Sequence, residues 1–529
     1  MNASSPHSVE LARTRAPAIW LTALLLLVYL PSFGGGYLAY DDDWLVQNNR
    51  ILHEFSLAHC QAIFTQFDAA TRFALGAEYL PIRDISHLLE FGLFGDSPRL
   101  MRFNNVVLYV ITVLLLRAAL GAALKDRWTV ELTILLFALH PVHVESVAWI
   151  ASRKDVLAGC FVAMAWLSYT RRDRLIWFTP GLLALAHFSK AMTVVAGGLL
   201  LMHDLLARRR PHWGVLGVSL GVGLAAFAVH HHIGGVVHMV GEPLGGSPSA
   251  AFITMGEVWV RYFGQLLFPF DLSIVYDVQP LTSFSATAVL GWLVCGASLL
   301  GATVAYFKYQ QSLPLAASVF FWLPLLPVSQ VFFPLQNTMA DRYLYFTVLG
   351  LGLGTAAVLR SLGRARLLVA AAILVSLGGL TATRASLFSD SLALFVDAAQ
   401  AAPGSPIPPY QIAKQMENRG DEAAAVNAYS AAIKRAPQQS EIARRSMNNM
   451  ARLYVRAGDH ASAQSVLAQA VTLWPQDPKV AFNLADVMAR RGQYQASRAF
   501  YRSLLNRFPN YPKGREQFAK HFPTQSIEP

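Results

Sequence analysis

The stretch GGYLAYDDDWLVQNN, residues 35–49, sets Asp41, Asp42 and Asp43 directly after an apolar run and just ahead of Trp44. A carboxylate walled by Tyr40, Trp44 and Leu45 has its pKa raised, and so can take a proton from an attacking hydroxyl. A solvated turn capping the apolar run would use the same letters. A second polar stretch, LHPVHVESVAWIASRKDVLAG, residues 139–159, gathers His140, His143, Glu145, Arg153, Lys154 and Asp155. Paired cations at a membrane interface suit a phosphate, or they snorkel to lipid headgroups. His-x-x-His binds a metal when helical, but Pro141 between the two favours a helix start or kink. A divalent metal held by the aspartates and a histidine stays an open alternative that no spacing compels. Lys190, in HFSKAMTVV, offers a further cation for a lipid-borne phosphate or for snorkelling, and NTMADRYLYF places Asp341 beside Arg342 and Tyr343, as an ion pair or as a phosphate-binding arginine.

The elements that must position these residues follow from composition. The chain has 529 residues, 54% hydrophobic and 14% charged, where soluble domains carry about 25% charged residues. The net charge of +11 sits in short clusters between apolar runs, which is how a bilayer protein sets its topology and not how a nucleic-acid surface is built. Cys60, Cys160 and Cys295 have no metal-like spacing. Crossing a bilayer takes about 20 apolar residues, and such runs occur near 18–36, 102–120, 129–147, 155–170, 174–189, 190–206, 213–232, 284–306, 313–333, 343–360 and 366–383. The expectation is an all-α bundle of about eleven spans over residues 1–390. A twelfth stretch, 250–269, carries Glu257 and Arg261. Keeping it on the outer face, as an interfacial or re-entrant helix, puts Lys308 and Arg360, Arg364 and Arg366 inside with nearly every other basic cluster. Loops 37–98 and 233–283, the polar residues above and the C-terminus then face outward, which in a bacterial inner membrane is the periplasm.

From about Pro403 the sequence becomes alanine-rich and amphipathic. Pro437, Pro475 and Pro509 close successive helical pairs, and Ala451, Tyr454, Gly458, Ala463, Leu467, Ala470 and Pro475 fall at the small-residue, aromatic, turn and stop positions of a tetratricopeptide repeat. Residues 403–520 are expected to stack as a short helical solenoid with a concave face for a protein partner.

One carboxylate cluster, several cations and aromatic walls on one face are what transfer of a group from a lipid-linked phosphate needs. The series AYDDDWLVQNN, YLPIRDIS, FNNVVLY, LHPVHVESVAWIASRKDVLAG, SKAMTVVAGGLLLMHDLL, PFDLSIVYD and MADRYLYF, followed by the repeats, resembles the TMTC-type (transmembrane and tetratricopeptide repeat) proteins. These are relatives of the protein O-mannosyltransferases of the GT-C superfamily. The resemblance implies a GT-C-like glycosyltransferase that moves a sugar, mannose in the animal members, from a polyprenyl-phosphate carrier to Ser or Thr hydroxyls on the non-cytoplasmic side. It aligns the family's paired acids with Asp41 and Asp42, its Arg and Asp with Arg153 and Asp155, its Ser-Lys lysine with Lys190, and its Asp-Arg-Tyr with Asp341, Arg342 and Tyr343. The family's Tyr-Arg-Pro appears as Tyr79-Leu80-Pro81, with Arg83 two residues on. On this reading Asp42 or Asp41 is the base of an inverting displacement, and Arg153, Lys154, Lys190 and Arg342 meet the donor phosphate. His140, His143, Glu145, Asp155, Tyr79, Arg83, Asp341 and Tyr343 line the pocket. The rival, from another class, is a membrane scaffold without activity whose repeats recruit envelope proteins.

Overall fold

Backbone buried in lipid must pair its N–H and C=O groups internally, which favours the helix, and the described residues of this chain contain helices and no strand. The computed structural model describes residues 6–237, 241–332, 334–509, 511 and 514–523, with side chains from residue 17 onward. The expected loop 233–283 and repeat region 403–520 therefore include a few positions, 238–240, 510, 512 and 513, that lie outside the described residues. The chain divides into two compact units, Met1–Ser391 and Leu392–Pro529.

Among the described residues of the first unit, five helices are long and apolar enough to cross a membrane: Pro17–Gly34, Pro98–Ala123, Trp213–Val236, Ala286–Tyr309 and Ala365–Leu387. A sixth is available if Arg127–Leu139 and Pro141–Ala148, bent by 48° at Pro141, count as one span. This is fewer than the eleven expected, and the reason is local. The run near 174–189 yields a ten-residue helix, Phe178–His187, and the next opens with a 3₁₀ turn, Ala191–Val195, before helix Ala196–Leu206. Helix Ser312–Trp322 passes into a 3₁₀ segment, Leu323–Val328, that holds Pro324 and Pro327. Helix Arg153–Arg171 has the length but opens on Arg153, Lys154 and Asp155. Hydrophobic runs measure apolar length and do not register such breaks. Residues 250–267 of the twelfth stretch lie on a helix, Pro248–Leu267, which packs on Ala286–Tyr309 through Gly256 and Gly291. A Cβ on Gly291 would overlap the Gly256 carbonyl oxygen.

Helix Arg153–Arg171 is central to the unit, its Trp166 and Tyr169 fully buried. Three short helices follow the aspartate segment, Arg50–His53, Leu57–Thr65 and Ala69–Ala74, each opened by a side-chain cap: Asn49 accepting from Ile51, Ser56 from His59 and Asp68 from Thr71. Amphipathic helix Pro81–Phe94 follows, burying Arg83, Asp84, His87 and Glu90.

The second unit holds antiparallel helix pairs: Ile407–Asn418 with Glu422–Arg435, Glu441–Arg456 with His460–Leu473, and Pro478–Arg490 with Tyr494–Arg507, then a last helix, Gly514–His521. Each first helix ends at a glycine with positive φ, Gly420 (81°), Gly458 (79°) and Gly492 (75°), the left-handed position that stops a helix without a Cβ clash. Small residues then let the pairs close: Ala463, Leu467 and Ala470 pack on Val480, Leu484 and Val487 of the following repeat.

Candidate active site

The aspartate segment is built by ties to three other elements. Gly35 approaches Ser389 so closely that a Cβ would overlap the Ser389 carbonyl oxygen. Arg102, fully buried on helix Pro98–Ala123, donates to the carbonyl oxygens of Gly35 (2.6 Å), Gly36 and Ala148 (3.2 Å). The Ala39 N–H donates to Ser391 Oγ at 3.0 Å. The chain then enters a wide π-type turn, Asp42–Gln47, a geometry frequent at functional sites.

The adjacent carboxylates have different surroundings. Asp42 is fully buried, its Oδ2 accepting from the Leu38 N–H at 3.0 Å and its Oδ1 from the Ala151 N–H at 2.8 Å. Burial pushes it up to about 7, against the lowering effect of those two N–H groups and of Arg102. With both oxygens occupied, Asp42 ties the loop to the segment before Arg153. Asp41 is partly exposed and makes one long hydrogen bond, its Oδ1 accepting from Trp44 Nε1 at 3.3 Å. Burial raises its pKa, and Lys154 and Arg342 oppose the rise. Its second oxygen is left for a proton. Beside it, Tyr40 stacks on Trp149 with ring centroids 5.7 Å apart.

Two of the four expected phosphate-binding cations meet in one place. Lys190, 11% exposed in its side chain, pairs with Asp155. Arg342, 12% exposed, pairs with the fully buried Glu145, whose other oxygen accepts the Arg342 backbone N–H at 2.9 Å. The guanidinium also lies 5.7 Å from the Trp149 ring and 5.4 Å from Tyr343. A pocket opens onto Asp155, Lys190, Thr193, Arg342 and Tyr343, and is walled by Met192, Val195, Leu199, Pro324 and Phe346 among others. An ammonium has three donors and a guanidinium five, so a single carboxylate partner leaves each able to bind an anion. A polar end with an apolar flank is the shape of a site for an amphiphile.

The other expected site residues are placed elsewhere, and each has a physical reason. Arg153 is 3% exposed; its guanidinium turns away from the pocket to Glu90 (2.9 Å), Asn105 and the Met101 carbonyl oxygen (2.8 Å), so its charge is already matched. Lys154 does not line the pocket and donates to Glu78 at 2.7 Å. His140 donates to the Leu266 carbonyl oxygen at 3.0 Å, and His143 to that of Tyr345 at 2.9 Å, both fully buried. Among the described residues no three His, Cys, Asp or Glu side chains converge on a point that could hold a metal. Asp341 is fully buried, taken by Tyr276 and by Arg384 at 2.9 Å. Arg83 is buried on Asp84, and Tyr79 donates to the Phe64 carbonyl oxygen at 3.0 Å. None of these side chains lines the pocket.

Sequence reasoning missed Glu78, the acceptor for both Lys154 and Arg83, and Arg384, the partner of Asp341. A signal existed for the second: an arginine inside apolar helix Ala365–Leu387 needs a partner. Glu78 carries no such signal, being a single carboxylate in a loop.

Residues 448–513 match the tetratricopeptide repeat family model. The chain is similar to the protein O-mannosyl-transferase TMTC1 of Mus musculus, 32% identical over 143 residues, which are 26% of this chain and 15% of that protein. It is similar to TMTC2 of Xenopus laevis, 32% identical over 154 residues, 28% of this chain and 18% of that one. It is also similar to the Caenorhabditis elegans protein O-mannosyl-transferase F38B6.6, 23% identical over 357 residues, 65% of this chain and 51% of that protein. The chain thus spans between 15% and 51% of the length of these curated relatives.

Proposed function

We propose that this chain is a membrane glycosyltransferase that moves a sugar, mannose by analogy with the names of its relatives, from a polyprenyl phosphate to a hydroxyl of a protein Ser or Thr. The observation that carries the reading is the pocket with Lys190 and Arg342 at its polar end and an apolar flank of Met192, Val195, Leu199, Pro324 and Phe346, which suits a phosphate on a hydrocarbon tail.

In the step, the acceptor oxygen attacks the anomeric carbon while the bond from that carbon to the phosphate oxygen breaks, its electron pair leaving on the phosphate. The hydroxyl proton passes to Asp41. A base on the face opposite the leaving group gives inversion. The departing phosphate needs charge stabilisation more than it needs an acid, and Lys190 and Arg342 supply it. Asp42 and Arg102 hold the loop that carries Asp41. The topology that keeps Lys308 and the Arg360 to Arg366 cluster inside puts this site and the repeats on the non-cytoplasmic side, and the short apolar segments Ala191–Leu206, Ser312–Val328 and Thr347–Arg360 complete further crossings beyond the long helices.

The test is reconstitution of the full chain with polyprenyl-phosphate mannose and a Ser/Thr peptide, with product mass read by mass spectrometry. Transfer that is lost in Lys190→Met and Asp41→Asn, with both variants still inserted, supports the reading. Absence of transfer from the wild type with a panel of lipid-phosphate sugars, with captured envelope proteins unchanged in the variants, supports the scaffold instead.

A further inference from the structure

The charges around Asp41 come from several elements: Lys154 from the first turn of helix Arg153–Arg171, Arg342 from the 3₁₀ turn Asp341–Leu344, Glu78 from the loop before Pro81, and Asp42, Tyr40 and the Trp44 indole from its own segment. Of these, Lys154 has a choice of carboxylates. Its Nζ lies 2.7 Å from Glu78 Oε2, and Asp41 is within its electrostatic reach.

Glu78 is held for this contact from behind. The Arg83 guanidinium, fully buried, reaches Glu78 Oε2 at 3.1 Å while its other nitrogens bond Asp84 and, at 2.6 Å, the Leu75 carbonyl oxygen. The Glu78 loop is also joined to the aspartate segment. Asn49 Nδ2 donates to the Ala74 carbonyl oxygen at 2.8 Å. Gly76, at φ +87°, has room for a Cβ only at 3.1 Å from Leu45 and 3.3 Å from Arg83. Stability does not account for the arrangement. The Glu78 and Lys154 side chains are 44% and 24% exposed, and such pairs contribute about 0–1 kcal/mol. Arg83 already has a buried counter-ion in Asp84.

We propose that Glu78 is a positioning residue of the transfer reaction: it holds the Lys154 ammonium off Asp41, so that Asp41 is not consumed in an ion pair and remains a base. This rests on the assignment of Asp41 as base made above. A carboxylate that gains a cation within about 4–6 Å drops by about 1–3 pKa units, and a weaker base transfers the proton more slowly.

Glu78→Gln keeps an acceptor for Arg83 and removes the charge that holds Lys154. The acidic limb of kcat for transfer of mannose from polyprenyl-phosphate mannose should move down by about one pH unit, with kcat at neutral pH reduced about tenfold and the donor KM unchanged. In a Lys154→Met background the same substitution should shift the limb much less, by only the loss of the direct upward push of the Glu78 charge on Asp41, because no ammonium is left to redirect; that difference separates positioning from a structural role. An unmoved limb in Glu78→Gln, or an equal shift with and without Lys154, overturns the inference while leaving the transferase reading intact. Should Glu78→Gln fail to accumulate, Lys154→Met alone decides: its limb should sit at or above the wild-type position, and a downward shift overturns the inference. A wild type inactive with this donor sinks the transferase reading and this inference with it.

Discussion

Asp41→Asn removes the proposed base with little change in anything else. The side chain makes one hydrogen bond, a long one of 3.3 Å to the Trp44 indole, which an asparagine oxygen can still accept. It is partly exposed, so the folding cost should fall within the roughly 0.5 kcal/mol typical of such positions. The rate is another matter. General-base catalysis contributes about 10²–10⁴-fold, equivalent to about 3–5 kcal/mol of transition-state stabilisation. Initial rates of sugar transfer to a Ser/Thr peptide, measured on detergent-purified chain at saturating donor, should fall by that factor, while the thermal midpoint and the donor KM stay near wild type. Wild-type rates should themselves rise along an acidic limb that lies above the ordinary carboxylate range, because burial raises Asp41; the residual rate of Asp41→Asn should lack that limb. Retention of more than about a tenth of the rate, or a limb that survives the substitution, would remove Asp41 from the chemistry and return the choice to Asp42 or to another group.

Asp42 should respond as a structural carboxyl. Burial pushes its pKa up to about 7, so the folded state binds the proton more tightly than the unfolded one, and this stabilisation is complete below about pH 4 and lost as pH rises through about 7. Thermal midpoints of the wild type should therefore fall across that window relative to Asp42→Asn, and parallel curves would refute the assignment. Lys190→Met and Arg342→Gln should each weaken use of the lipid-phosphate donor, with kcat/KM for the donor down about 10²–10³-fold and acceptor KM little changed; an effect confined to the acceptor would move these cations to the other substrate. Gly291→Leu should separate helices Pro248–Leu267 and Ala286–Tyr309, since even a Cβ meets the Gly256 carbonyl oxygen, at a cost of about 1–3 kcal/mol visible as reduced accumulation, and wild-type yield and melting would contradict the packing. Alkaline phosphatase fused after Ile527 should be active in a bacterial host, and an inactive phosphatase fusion together with a fluorescent GFP fusion at the same position would reverse the topology.

Much of the fold was legible because helix is the default answer to an apolar run and because Gly420, Gly458 and Gly492 punctuate the repeats at the places where a left-handed residue is required. The count of crossings was less legible. A hydropathy run sees that residues 190–206 and 313–333 are apolar, but it does not see that Ala191–Val195 and Leu323–Val328 wind as 3₁₀ segments, and these bring Met192, Thr193, Val195 and Pro324 to the wall of the pocket. The same breaks that shorten these apolar helices build the candidate site.

Within the site, residue types could be read but their partners could not. Arg153 and Lys154 are neighbours in sequence, yet one is sunk against Glu90 and Asn105 and the other reaches Glu78 near the surface, because successive residues on a helix project about 100° apart. Asp41 and Asp42 diverge in the same way, one toward Trp44 and the cations, the other into a pair of backbone N–H groups. A pattern of adjacent like charges therefore announces a site without dividing the labour inside it. That division is made by distant residues, Ala151 for Asp42 and Glu78 for Lys154, whose proximity only the folded chain creates. It follows that a charge-reversing change at Glu78, far from the aspartates in sequence, should alter the chemistry of Asp41, because Glu78 holds the cation that competes for the base.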